Sequence, residues 1–190
     1  AAMRAKVRGC AAKTRRRKTN PPRGHGPTSC NFSARSFARR AAAFNMTIAW
    51  NGPRAKEVPW RYEPDLVALA RNVDVLIAAC PGGAATRGLI SRAVLQALGP
   101  RGVFVNISRG SVVDQAAMVE LLVQRELGGA GLDVYDDEPN VPPELLTLDH
   151  VVLQPHQASA TAETRGAMGQ LVLDNVAAWV AGRPLVTAVT

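Results

Sequence analysis

Three loops in the second half of the chain carry residue types that together could hold an anion and move a proton. Ser108-Arg109-Gly110 follows the run Val105-Asn-Ile107, Tyr135-Asp-Asp-Glu-Pro139 follows Leu132-Asp-Val134, and Gln154-Pro-His156-Gln-Ala-Ser159 follows Val152-Leu153. A guanidinium presents a planar fork of donors suited to a carboxylate. An imidazole titrates near neutral pH and can deliver a proton. A carboxylate held against that imidazole would raise its pKa and set its orientation. Glu138 and Asp137 are both candidates for that role. Taken singly, the histidine would pass for a surface residue and the glutamate for an acidic turn residue before Pro139. The weight lies in an arginine, a carboxylate and a histidine arriving at corresponding places after three apolar runs.

Those runs belong to an alternating pattern. Residues 34–44 are rich in helix formers, with Phe37, Ala41 and Phe44 at helical spacing. A short strand is predicted at 47–50, stopped by Asn51-Gly-Pro53, then a helix at 64–70 and a buried strand at 73–79. After the Pro81-Gly-Gly83 loop, the pattern predicts a helix at 91–98, a strand at 102–107 and a helix from an Asp114 cap to Arg125. Strands at 130–134 and 151–153 follow, and an amphipathic helix at 162–181 closes the chain before Gly182. Strand and helix in alternation mean crossover units, hence an α/β fold with a parallel sheet and helices on both faces. Such sheets bind ligands beyond the C-terminal ends of their strands, where all three loops fall.

Composition bounds the rest. The chain has 190 residues, 47% of them hydrophobic, and a net charge of +8, which suits one globular core. The charge is uneven: residues 1–40 hold twelve Lys or Arg and no acid, whereas residues 41–190 hold eleven against fifteen Asp or Glu. The basicity therefore belongs to an N-terminal arm, and a nucleic-acid role for the body of the protein is disfavoured. Lys13–Lys18 is a charge run and Pro21–Pro27 a breaker cluster, so residues 1–33 are expected to be a disordered arm and residues 34–190 the folded part. Alternatives for the arm are an organellar transit peptide or a phosphate contact, although it lacks aromatics interleaved for stacking. Three cysteines, Cys10, Cys30 and Cys80, form no CxxC pair. A reducing, cytoplasmic setting is expected, with no metal site and no membrane span.

Val105-Asn-Ile-Ser-Arg-Gly-Ser-Val-Val-Asp114, Gly129-Ala-Gly-Leu-Asp-Val-Tyr-Asp-Asp-Glu-Pro139 and Pro155-His-Gln-Ala-Ser-Ala-Thr161 resemble the three signature blocks of the D-isomer-specific 2-hydroxyacid dehydrogenases. Pro81-Gly-Gly-Ala-Ala-Thr-Arg-Gly-Leu-Ile90 and Ala181-Gly-Arg-Pro-Leu185 point to the glyoxylate and hydroxypyruvate reductase branch. The resemblance runs from about residue 34 to the end. It implies a doubly wound, Rossmann-like NAD(P)-binding domain that reduces a small 2-oxo acid to a 2-hydroxy acid. Arg109 would bind the substrate carboxylate and polarise the carbonyl, His156 would donate the proton, and Glu138, favoured over Asp137, would support His156. Cys80 and Pro81 would lie beside the adenosine and phosphate half of the cofactor. Ile107, Asp133 and Ser159 would lie near the nicotinamide, with Asp133 bonding its carboxamide. The strand that usually ends in an acid for the ribose hydroxyls ends here in Trp50-Asn-Gly-Pro-Arg54. The missing acid and the nearby Arg54 favour NADP over NAD. A homodimer is also implied.

The chain departs from the family before residue 34. The family places a strand and a Gly-x-Gly-x-x-Gly turn ahead of its first helix, to bring backbone amides to the pyrophosphate. The corresponding stretch here, Gly26-Pro-Thr-Ser-Cys-Asn-Phe-Ser33, has no such spacing, so the domain is expected to be N-terminally truncated and the substrate domain missing. Without its central first strand the sheet should be split, unless part of residues 1–30 substitutes. Little or no turnover is expected from such a chain. Two competing readings are a non-catalytic nucleotide-fold module with a binding or regulatory role, and a nucleic-acid binder acting through the basic arm. Arg109, Glu138 and His156 occurring together favour the enzyme lineage.

Overall fold

Runs of apolar residues too short to be helices line up side by side in the computed structural model, which describes residues 29–188. In chain order the elements are α1 (Ser29–Ala43), β1 (Ala49–Trp50), β2 (Arg61–Tyr62), α2 (Leu66–Arg71), β3 (Val75–Ala78), α3 (Arg92–Leu98), β4 (Val103–Asn106), α4 (Gln115–Val123), β5 (Gly129–Leu132), β6 (Val151–Leu153) and α5 (Ala162–Val180). Strands β3 to β6 form one parallel sheet in sequential order, with Val75 opposite Val103, Val103 opposite Gly129 and Ala130 opposite Val151. Leu76, Phe104 and Leu132 are buried at its centre. Helix α2 packs on α3 and α3 on α4. Leu69, Leu95 and Leu121 bury their apolar sides in the same core, as a parallel sheet requires of its crossover helices.

Caps place the helices. Asp65 accepts from the amides of Val67 and Ala68 at the start of α2. Asp114 accepts from Ala117 N at 3.0 Å at the start of α4. Each satisfies amide donors that a helix N-terminus leaves orphaned. Helix α1 begins at Ser29, five residues ahead of the expected start and just past the breakers that end at Pro27. It packs through Ala34, Ala38 and Ala41 against Ile48.

Strands β1 and β2 make a separate two-stranded parallel sheet, Ala49 opposite Arg61 and Trp50 opposite Tyr62. The strands therefore form two separate sheets among the described residues; whether part of residues 1–30 substitutes for a central strand lies outside the described residues. Strand β2 is not legible in the sequence, because two residues between prolines carry no period. The expected disordered arm lies mostly outside the described residues, which begin within it at Ser29.

The chain divides into two compact units, the first ending at Pro155 and the second running from His156. In the second, Thr161 caps α5 by accepting from Thr164 N. The tail after α5 returns along it: Asn175 donates to the Thr187 hydroxyl at 2.9 Å and accepts from Thr187 N at 3.2 Å. The helix falls where the sequence places an amphipathic helix; Met168, Val172, Val176, Trp179 and Val180 on it are exposed, and only Ala178 of this helix is buried.

Candidate active site

Strand β4 ends in Asn106, whose side chain is fully buried. A buried amide must find partners, and this one finds them in the loop that it starts. Its Oδ1 accepts from Ser108 N at 3.0 Å, and its Nδ2 donates to the Arg109 carbonyl at 3.1 Å. Ser108, also buried, donates its hydroxyl to the Cys80 carbonyl at the end of β3. On the other side, Asp133 N donates to the Asn106 carbonyl at 3.1 Å. The ends of β3, β4 and β5 are thus tied through two polar residues, and the backbone that bears Arg109 is held at four points.

Gly110 then brings this loop against the acidic one. A Cβ built on Gly110 would fall 1.9 Å from the Tyr135 carbonyl carbon and 2.2 Å from Asp136 N. Gly110 is not among the positive-φ glycines, so close backbone approach is what requires it. Tyr135 is buried and donates its hydroxyl to the Gln154 carbonyl at 3.1 Å, linking the ends of β5 and β6. Burial raises its pKa above the ordinary 10.0, and the nearby Asp133 and Glu138 charges push it the same way. The phenol therefore remains a donor at neutral pH.

Glu138 accepts from Tyr135 N at 2.9 Å through Oε1, so its carboxylate is folded back over the loop that joins the Arg109 segment. Asp137, the rival carboxylate, accepts instead from Asn140 Nδ2 at 3.1 Å within its own turn. The Arg109 side chain is exposed, and its Nη1 donates to the Ser108 carbonyl at 2.7 Å. The structure therefore brings the loops of Arg109 and Glu138 together in the first unit. His156 and Ser159 lie in the second unit, both exposed. His156 has φ 51°, a left-handed conformation that costs a non-glycine residue about 1–2 kcal/mol.

Five residues considered for a dinucleotide follow parallel strands at their C-terminal ends. Arg54 lies beyond β1, Cys80 and Pro81 beyond β3, Ile107 beyond β4 and Asp133 beyond β5. Ile107 is 40% exposed, although it directly follows a strand with a buried centre, and Asp133 is buried. An uncovered apolar side chain near a buried carboxylate suits an aromatic ring bearing an amide. Arg54 and Pro81 are exposed and Cys80 is half-buried. No cluster of three His, Cys, Asp or Glu side chains among the described residues could hold a metal, and no helix there is long and apolar enough to cross a membrane.

Asn106, Ser108 and Tyr135, which hold the site, escaped the reading of the sequence. Asn106 did leave a signal, as an amide inside an otherwise apolar run. Nothing about Tyr135 in the sequence announces that its hydroxyl bridges two strand ends.

Residues 33–158 match the model of the D-isomer specific 2-hydroxyacid dehydrogenase NAD-binding domain. The chain is 47% identical over 155 residues to a 2-ketogluconate reductase of Gluconobacter oxydans, covering 81% of this chain and 50% of that protein. It is 44% identical over 155 residues to a glyoxylate/hydroxypyruvate reductase A of Arabidopsis thaliana, again covering 81% of this chain and 50% of that one. Among solved structures, an NADPH-dependent glyoxylate/hydroxypyruvate reductase from Sinorhizobium meliloti, in complex with NADP and malonate, superposes with a TM-score of 0.79 at 46% identity. That match covers 82% of this chain and 49% of the other. The chain spans about half the length of the curated relatives it matches.

Proposed function

The chain belongs to the D-isomer-specific 2-hydroxyacid dehydrogenases, and from that premise we propose that it is the nucleotide-binding part of an NADP-dependent reductase of small 2-oxo acids. The observation that carries the proposal is the Asn106-clipped Arg109 loop seated through Gly110 on the Tyr135–Glu138 loop, at the C-terminal edge of a parallel sheet. In this reading residues 34–190 form the dinucleotide-binding part.

Reducing a 2-oxo acid adds a hydride to the carbonyl carbon and a proton to its oxygen. The bound nicotinamide cofactor supplies the hydride. Arg109 holds the neighbouring carboxylate and draws charge toward the carbonyl oxygen. His156 gives that oxygen its proton, and Glu138 keeps the imidazole oriented. Ile107, Asp133 and Ser159 take the nicotinamide end, with Asp133 accepting from the carboxamide. Cys80 and Pro81 line the adenosine and phosphate half, and Arg54 pairs with a ribose 2′-phosphate. Glyoxylate and hydroxypyruvate are the substrates of this reading. Two copies associate in a cytoplasmic setting, and the uncovered apolar side of α5 supports association.

The stretch Gly26–Ser33 lacks the Gly-x-Gly-x-x-Gly spacing that brings amides to a pyrophosphate, and so the reading expects weak turnover. The test is oxidation of NADPH and NADH by the purified chain with glyoxylate and hydroxypyruvate, alongside direct measurement of nucleotide binding. NADPH should bind more tightly than NADH, with turnover far below that of an intact reductase. Full turnover would overturn the impairment, and absence of binding by either nucleotide would overturn the reading itself.

A further inference from the structure

The loop after β3 contains adjacent glycines that are glycine for different reasons. Gly83 has φ +143°, a conformation that other residues rarely adopt, and a Cβ there would meet nothing within 4 Å. Gly82 lies outside the left-handed region, so its own backbone would accept an alanine. Its constraint comes from another part of the chain. A Cβ on Gly82 would fall 2.5 Å from Cγ of Arg109, 3.0 Å from its Cβ and 3.7 Å from its Cδ.

Those are the root atoms of the arginine rather than its mobile end. They cannot yield by a small swing of the guanidinium, because Asn106 holds the Arg109 carbonyl and Gly110 is pressed against the Tyr135–Asp136 peptide. Relief requires a new side-chain rotamer for Arg109 or a displacement of the clipped loop. We infer that Gly82 is a positioning residue: by having no side chain it sets the direction in which Arg109 leaves the β4 loop. Through that direction it determines where a substrate carboxylate is held. The second part rests on the function proposed above, and the first does not.

The test compares Gly82→Ala and Arg109→Lys with the unaltered chain. The Arg109 Nε–H resonance, assigned by its loss in Arg109→Lys, reports the side chain directly and needs no activity. It should move in Gly82→Ala while the melting temperature stays unchanged. Malonate, used as the carboxylate probe with NADPH present, should bind about tenfold more weakly to Gly82→Ala, the size of one lost charge-assisted hydrogen bond. An unmoved Arg109 resonance overturns the inference. A moved resonance with equal malonate affinity in the unaltered chain, Gly82→Ala and Arg109→Lys leaves Gly82 as the positioner of Arg109. In that case it is the carboxylate-binding role of Arg109 that falls.

Discussion

The four-stranded sheet and α5 are both built from apolar residues at regular spacing, and they end in opposite conditions. Along β4 the apolar centre, Phe104, is fully buried, and Leu76 and Leu132 on the flanking strands are buried with it. Along α5, Met168, Val172, Val176 and Val180 recur at intervals of four and all stay exposed, with Trp179 beside them at 74%. Periodicity shows that a face is made to be covered but does not identify what covers it. In the sheet the cover is local, since the crossover helices come from the intervening sequence. For α5 the described part of its own unit offers only the returning tail.

That contrast can be pressed hardest in the sheet. Phe104→Ala should lower unfolding stability by about 3–5 kcal/mol, the usual cost of emptying a packed aromatic site. Val172→Ala on α5 should stay within about 0.5 kcal/mol, as for other exposed sites. Urea unfolding of both variants measures the difference, and equal losses would mean that α5 is buried in solution.

A smaller effect is expected where the strand ends are tied. Tyr135→Phe removes the hydroxyl that reaches the Gln154 carbonyl and should cost about 1 kcal/mol at neutral pH. Because the folded-state pKa of Tyr135 is raised, the folded protein holds the phenol proton more tightly than the unfolded chain. This contribution is present below the unfolded value near pH 10 and is lost as pH rises through the folded value. Stability measured between about pH 8 and 11 should fall less steeply for Tyr135→Phe than for the unaltered chain.

The smallest effect on folding and the sharpest on association is expected at Trp179. Trp179→Glu should leave the melting temperature nearly unchanged, since the residue is mostly exposed. It should also shift light-scattering mass toward the monomer if α5 mediates pairing. An unchanged mass would remove α5 from the association proposed here.

Much of the fold was legible. The expected strand at 151–153 coincides with β6, and the Asp114 cap begins α4 as predicted. Those segments carry their own signals, a β-branched run in one case and a capping carboxylate before an apolar stretch in the other. The ends of the other elements differ by one or two residues in most cases, because a cap or hydrogen bond, not hydropathy, ends an element. Site residues were legible as types in loops. The supports of the site were not, because Ser108 reaching Cys80 and Gly110 meeting Tyr135 span 28 and 25 positions of sequence.

By itself the sequence determined the alternation of strand and helix, the parallel sheet and the family. It also placed Arg109, Glu138 and His156 after successive strands, since local periodicity and local motifs suffice for all of these. The tertiary structure alone decided that, among the described residues, α5 keeps its apolar side uncovered and that Gly82 lies under Arg109. Each of these is a contact, or the lack of one, between segments far apart in the chain. Such contacts depend on how close two backbones come, and residue type in one segment does not encode that distance.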